Sequence, residues 1–165
     1  MSNGQEPLFT DFTYDNLGVP KNPENPFYTG NPNFVDLGLG GFLQSAGYPA
    51  GVYGPELGKF KVPTLRNVDK RPDDPPGFVK AFAHNGYFKS LESIVHFYNT
   101  RDVLPRCETI VAPDPGVNCW PSPEFAANMN TALVGNLGLT LAEEDDIVAF
   151  LKTLTDATTA VPPGP

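Results

Sequence analysis

The sequence predicts a mainly α-helical domain with long loops rich in proline and glycine. Two segments in its second half combine an apolar stripe of helical period with a capping residue, which is typical of amphipathic helices. The 19 prolines and 16 glycines far exceed ordinary usage, so loops must take up much of the chain. The 12 phenylalanines and 6 tyrosines supply apolar mass, and 165 residues are enough for one modest core. We therefore expect a single loop-rich domain.

Residues 1–57 are expected to form an irregular arm. Prolines interrupt every window of this stretch before a helical period is established, so helix beyond a short turn is not expected. Its many aromatic side chains are expected to anchor the arm on a core or a cofactor. The segment at residues 36–42 contains glycines but lacks the strand and helix that flank a phosphate-binding loop, so it is predicted to be a turn.

The first predicted helix follows Ser90, whose hydroxyl can cap it, and runs from Leu91 to about Tyr98. Its apolar residues recur at i, i+3, i+4 and i+7 and so share one face. They are Leu91, Ile94, Val95 and Tyr98. Glu92 and His96 are then predicted to lie on the solvent side.

The second predicted helix begins at Thr140, which forms a capping box with Glu143. Four consecutive acidic residues, 143–146, complement the positive end of the helix dipole. The predicted buried stripe consists of Ile147, Val148, Leu151 and Leu154. Residues 157–165 show no period and no caps, and are expected to form a flexible tail.

The only cysteines, Cys107 and Cys119, bracket a turn-rich segment that contains Pro-Asp-Pro-Gly. Such a turn brings the two sulfurs together, whereas a metal site would need further cysteine or histidine nearby. We expect a disulfide, which in the chain-entropy model stabilises the fold by roughly 3 kcal/mol and persists in an oxidising compartment. This favours the periplasm or the exterior; the alternative is two free thiols in a cytosolic loop.

The net charge is −8, and the lysines and arginines are scattered along the sequence and form no basic cluster that could bind a phosphate backbone. A nucleic-acid partner is therefore not expected. An acidic surface suits a small cationic redox protein, although it also serves solubility. No apolar stretch approaches the roughly 20 residues that a membrane span requires. The first seven residues lack the pattern of a secretory signal, which a mature protein would have lost.

Three segments carry a family resemblance: GKFKVPTLRN at 58–67, AHNGYFKSLE at 83–92 and IVAFLKTL at 147–154. In this order they resemble the C-terminal haem domain of bacterial dihaem cytochrome c peroxidases and MauG-like proteins. That family attaches haem through Cys-x-x-Cys-His, a motif that this sequence lacks. The stretch at residues 7–18 resembles the segment that follows the motif in a subset of the family. The match is expected to run from about Leu8 to Thr155, with the chain starting just after the haem site.

The resemblance implies a cytochrome c-like C-terminal domain over residues 58–156 and a set of site residues. Lys61 and Arg66 correspond to basic residues that contact the haem propionates. His84 corresponds to a pocket residue near the haem. Tyr98 falls where the family's peroxidases offer methionine, and MauG-like members tyrosine, as the distal ligand of haem c iron. The alternative, from the residues alone, is that Tyr98 is a core tyrosine whose hydroxyl is hydrogen-bonded.

The function implied is electron transfer in a periplasmic oxidoreductase that reduces hydrogen peroxide, with a small redox protein as electron donor. This chain alone is not expected to be catalytic, because it lacks the thioether cysteines and the proximal histidine. Three explanations are open. The chain is a fragment, or it is the partner of an upstream haem domain or another chain that supplies Cys-x-x-Cys-His, or it is a haem-free relative. The alternative function is therefore a haem-free structural or partner-docking subunit. The resemblance also makes calcium a candidate, bound through backbone carbonyls upstream of the His-Asn-Gly turn.

Overall fold

The computed structural model describes residues 8–69 and 81–155. Within these ranges, five α-helices and one pair of short strands are joined by long loops. The strands are β1 (Tyr14–Asp15) and β2 (Phe60–Lys61), and the helices are α1 (Pro26–Gly30), α2 (Gly38–Ser45), α3 (Ala50–Tyr53), α4 (Leu91–Thr100) and α5 (Leu141–Thr153). This architecture agrees with a mainly α-helical class. The tail expected at 157–165 lies outside the described residues.

The arm contains more helix than its prolines suggest. Helix α2 occupies most of the segment predicted to be a turn at residues 36–42, so that prediction was wrong. The side chain of Asp36 accepts a hydrogen bond from the Gly38 N–H at 2.9 Å and so holds the start of the helix. Gly40 lies so close to the following chain that a Cβ there would stand 2.3 Å from the Leu57 nitrogen. Tertiary contact, not local propensity, therefore stabilises α2.

Helices α4 and α5 pack against each other, and both begin with the caps that the sequence predicts. The hydroxyl of Ser90 accepts a hydrogen bond from the Ser93 N–H at 3.1 Å. Thr140 and Glu143 form the reciprocal capping box at the start of α5. Both predicted helix starts are thus confirmed.

The buried face of α4 differs from the predicted stripe. Phe97 is the most buried apolar residue of α4, at 1 % exposure, although the predicted stripe leaves it out. Ile94 and Tyr98, which the stripe includes, are only half-buried. On α5, Val148 and Leu151 are buried as predicted, whereas Ile147 is exposed. The core cluster comprises Val19, Phe82, Phe88, Leu91, Val95, Phe97, Trp120, Val148 and Leu151.

The predicted disulfide between Cys107 and Cys119 is present. It closes the turn-rich loop directly before Trp120, whose indole packs edge-on against Phe97 with ring centroids 5.0 Å apart. The indole N–H donates to the Thr100 hydroxyl at 3.0 Å. Trp120, directly after the disulfide, thus fixes the loop to the end of α4.

None of the helices in the two described ranges has both the length and the apolar character that crossing a bilayer requires.

Candidate functional site

The N-terminal segment runs alongside the segment that follows β2. Strands β1 and β2 pair in antiparallel fashion. The pairing continues beyond them, because the Val62 N–H donates to the Thr13 carbonyl at 2.9 Å. Further along, the Leu65 N–H donates to the Phe9 carbonyl at 3.3 Å. Two segments that carry the family resemblance, 7–18 and 58–67, are therefore neighbours in space.

This pair of segments exposes aromatic rings on a strained backbone. Phe9 and Phe12 are 44 % and 60 % exposed. Both have left-handed φ values, +50° and +62°, which bulky residues rarely adopt. Backbone strain of this kind is concentrated at binding and active sites. The two rings are thus candidates for contact with a flat apolar group.

The two basic candidates lie on the same segment. Lys61 is exposed at the end of β2, and its Nζ lies 5.4 Å from the centroid of the Phe12 ring. Arg66 lies five residues further along and is half-buried. The predicted cations and the exposed aromatic rings therefore occupy one stretch of surface, which suits an apolar ligand with anionic groups.

Tyr98 lies on α4, half-buried against the core. Its hydroxyl makes no hydrogen bond with any residue in the described ranges and is not among the buried polar atoms there that lack a partner, so the oxygen is accessible to solvent. Burial, and secondarily the charge of Asp15, raise the pKa of Tyr98 to about 12. The influence of Asp15 also indicates that the phenol lies near β1. Tyr98 is therefore a half-buried tyrosine whose hydroxyl oxygen is accessible to solvent, and its role as an iron ligand stays a prediction.

The surroundings of Tyr98 are held rigidly by a buried guanidinium. Asp15 accepts a hydrogen bond from the Asn130 side chain at 2.7 Å. The carbonyl of Asn130 in turn accepts from Arg101 at 2.8 Å, and Arg101 also donates to the Leu17 carbonyl at 2.8 Å. The sequence analysis did not identify Arg101, because nothing in its neighbourhood distinguishes a buried arginine from a solvent-exposed one.

His84 packs against β2. Its ring stacks on Phe60, with centroids 3.6 Å apart and planes 7° from parallel. Its Nε2 lies 3.5 Å from a carboxylate oxygen of Glu124. Burial lowers the pKa of His84, against the opposing charges of Asp36 and Glu124. His84 is therefore a neutral imidazole at neutral pH, placed beside the strand that carries Lys61.

His96 is not on the solvent side, so that prediction was wrong. Its Nδ1 lies 2.9 Å from the carboxylate of Glu144, which is buried in the first turn of α5. The Asn99 side chain donates to the same carboxylate at 2.5 Å. The sequence suggests a dipole role for Glu144, but the packing of α4 on α5 buries this carboxylate and supplies its partners.

Two surface depressions in the described ranges lie away from the predicted cofactor residues. One of about 350 Å³ lies beside α2, and one of about 280 Å³ lies between Lys89 and Trp120. Neither is lined by Lys61, Arg66 or Tyr98. Within the described ranges, no group of three or more histidine, cysteine or acidic side chains is arranged to hold a metal ion. The carbonyls expected to bind calcium lie upstream of the His-Asn-Gly turn, where residues 70–80 fall outside those ranges.

The fold and these residues define a mainly α-helical domain with an exposed aromatic and basic segment. No family model matches the chain. The chain is 37 % identical over 152 residues to the methylamine utilization protein MauG of Paracoccus denitrificans, a match that covers 90 % of the chain and 35 % of MauG.

Two solved structures agree with this relationship. The chain resembles the dihaem peroxidase BthA of Burkholderia thailandensis with a TM-score of 0.59 and 31 % identity, over 91 % of the chain and 35 % of BthA. It resembles a tyrosine-to-methionine variant of BthA with a TM-score of 0.63 and 30 % identity, over 91 % of the chain and 34 % of the variant. The chain therefore belongs to the family of MauG-like proteins and dihaem peroxidases. It spans about one third of the length of these relatives.

Proposed function

We propose that this chain forms the tyrosine side of a c-type haem site in a MauG-like redox protein and takes part in electron transfer that serves peroxide reduction. One observation carries the proposal: the hydroxyl of the half-buried Tyr98 makes no hydrogen bond within the described ranges and is accessible from outside the core. The membership of the chain in a family of dihaem proteins supports this reading of the free hydroxyl.

The residues present fit a haem. Tyr98 would be the distal iron ligand, Lys61 and Arg66 would pair with the propionates, and the rings of Phe9 and Phe12 would contact the macrocycle. Bound haem iron supplies one-electron chemistry that no side chain of the protein provides. Anionic phenolate oxygen, in place of a thioether, stabilises ferric iron and lowers its potential.

The environment of Tyr98 determines whether its hydroxyl must lose a proton when it binds iron. Its phenol is protonated at neutral pH, because burial and Asp15 raise its pKa to about 12. Ligation as phenolate must therefore release the hydroxyl proton. Asp15 acts on the phenol through its charge. The released proton would pass to solvent.

The thioether cysteines and the proximal histidine would come from a segment or chain that carries Cys-x-x-Cys-His. The disulfide supports a periplasmic or extracellular location. The net charge of −8 supports a small cationic redox protein as the electron donor. Catalysis of peroxide reduction would belong to the assembled protein and not to this chain alone.

The alternative is a haem-free subunit that keeps the scaffold for partner docking. The packing of Tyr98 against the core cluster favours it, as does the distance of both surface depressions from the cofactor residues. The two functions differ in whether the chain binds haem.

A haem c peptide that carries its own Cys-x-x-Cys-His is the probe that separates the two functions. It supplies the covalent haem and the proximal histidine and leaves the distal position open. Titrating it with the folded chain is expected to give a saturable shift of the Soret band. Tyr98→Phe is expected to abolish the shift, whereas Tyr87→Phe, a matched change at another partly buried tyrosine, is expected to preserve it. No shift with the unaltered chain, or an equal shift with Tyr98→Phe, would refute the proposal.

A further inference from the structure

A buried carboxylate that the proposed function does not use joins three separate segments. The side chain of Glu124 is only 3 % exposed. From the arm, the Tyr28 hydroxyl donates to it at 2.8 Å from each oxygen, and the Asp36 N–H donates to Oε1 at 3.0 Å. From the His-Asn-Gly turn, Asn85 Nδ2 donates to Oε2 at 3.3 Å. A carboxylate with this many donors is held in one orientation.

His84 is the fourth neighbour of this carboxylate. Its Nε2 lies 3.5 Å from Oε2 of Glu124, and stacking on Phe60 fixes the plane of its ring. Its Nδ1 has no hydrogen-bond partner in the part of the chain that the structure describes. A proton on Nε2 faces an anion and is favoured, whereas a lone pair on Nε2 would face the same anion and be disfavoured.

We propose that Glu124 is a positioning residue that fixes the proton of the His84 imidazole on Nε2, so that Nδ1 presents a lone pair. In this tautomer the Nδ1 atom can accept a hydrogen bond or a proton, but it cannot donate a hydrogen bond. It therefore suits a ligand group that donates, such as water or a protonated carboxyl, and it does not suit a carboxylate.

This assignment sharpens the predicted role of His84 as a residue near the haem, and to that extent it rests on the proposed function. Toward a haem, the two charged propionates would be paired by Lys61 and Arg66. His84 would instead accept from water or from a protonated propionic acid. The arrangement of His84 and Glu124 is nevertheless a property of this chain without any cofactor.

The second histidine supplies an internal reference. The chain has only two histidines. In His96 it is Nδ1, not Nε2, that faces a buried carboxylate, at 2.9 Å from Glu144. The two imidazoles are thus expected to be opposite tautomers, which nitrogen-15 chemical shifts and the coupling patterns of the ring protons distinguish.

The experiment is a long-range proton–nitrogen correlation spectrum of the nitrogen-15-labelled chain at about pH 8, at which a free imidazole is neutral. Two ring patterns are expected, Nε2–H for His84 and Nδ1–H for His96. The variant His96→Gln assigns the two patterns, because the single pattern that remains in its spectrum belongs to His84. A proton on Nδ1 of His84, or an even mixture of its tautomers, would overturn the proposal without any further variant.

Glu124→Gln makes the sharper prediction. Donors face both oxygens of Glu124, but the Asp36 N–H lies closer to Oε1, at 3.0 Å, than Asn85 Nδ2 lies to Oε2, at 3.3 Å. The glutamine oxygen is therefore expected to face Asp36. The glutamine NH₂ then takes the place of Oε2 and donates to Nε2 of His84. The proton of His84 is therefore expected to move to Nδ1, which inverts its tautomer.

Two control variants isolate this effect. Tyr28→Phe removes one donor from Glu124 without touching His84, and Glu144→Gln makes the same charge change beside His96. Both are expected to leave His84 as Nε2–H. A folded Glu124→Gln chain, judged by its amide spectrum, that keeps His84 as Nε2–H would overturn the proposal. Because no haem is present, these outcomes are independent of whether the chain binds haem.

Discussion

Arg101 offers the largest stability effect that the fold predicts. Its side chain is 0 % exposed. Its guanidinium donates to the carbonyls of Leu17, Asn130 and Val134 at 2.8–3.0 Å, and it pairs with Asp102. One side chain thus connects the end of α4 to the N-terminal segment and to the loop that precedes α5. Arg101→Met keeps much of the apolar stem and removes all of these bonds.

The size of the effect follows from the groups left behind. Each buried carbonyl that loses its donor costs about 1–3 kcal/mol, and removing one partner of a buried ion pair costs about 3–5 kcal/mol in total. The contributions are not additive, so we expect Arg101→Met to lower the free energy of unfolding by about 3–5 kcal/mol. For a domain of this size, that corresponds to a fall in Tm of roughly 6–20 °C.

Urea denaturation followed by circular dichroism measures this change, with Arg106→Met as the matched control. Arg106 is 31 % exposed and lies 3.9 Å from Asp102, so its loss is expected to cost less than about 1 kcal/mol. Equal effects of the two substitutions would refute the claim that Arg101 holds these three segments together.

Three further predictions concern the loop, the arm and the pH dependence. Replacing Cys107 and Cys119 together by serine is expected to lower the free energy of unfolding by roughly 3 kcal/mol in the denaturation assay, because the bridge no longer restricts the unfolded chain; an unchanged midpoint would contradict this. Gly40→Ala is expected to destabilise the chain by about 1–3 kcal/mol, since its Cβ would meet the Leu57 backbone at 2.3–2.4 Å, and a neutral effect would show that α2 does not pack there. The pKa of His84 is lowered from 6.5 chiefly by burial, so stability present above pH 6.5 is lost as the pH falls below that value. His84→Gln should flatten this part of the stability profile, and a profile unchanged by the substitution would contradict the assignment.

Features that depend on a few neighbouring residues were predictable from the sequence. The serine cap of α4 and the capping box of α5 are local hydrogen-bond patterns, and the disulfide closes a loop of only 12 residues. In each case the residues that decide the structure lie close together in the chain. The family resemblance extended these local signals to the roles proposed for Tyr98, Lys61, Arg66 and His84.

Features that depend on distant contacts were not predictable. Helix α2 forms because Gly40 allows a close approach to Leu57. No helical pattern in the sequence indicates this helix. Glu124 follows a proline-rich stretch and has the composition of a solvent-exposed loop residue, yet it is buried between the arm and the His-Asn-Gly turn. Burial of Glu144 beside His96 likewise depends on how α4 meets α5. Periodicity gives the faces of a helix but does not identify which polar residues will find partners.

Resonance Raman spectroscopy of the ferric haem c peptide bound to this chain tests the central claim most directly, because it detects an iron–phenolate bond. We expect phenolate vibrations with the unaltered chain and with Tyr87→Phe, and none with Tyr98→Phe. A bound haem without phenolate vibrations in the unaltered chain, or with vibrations that survive Tyr98→Phe, would contradict the assignment of Tyr98 as the iron ligand.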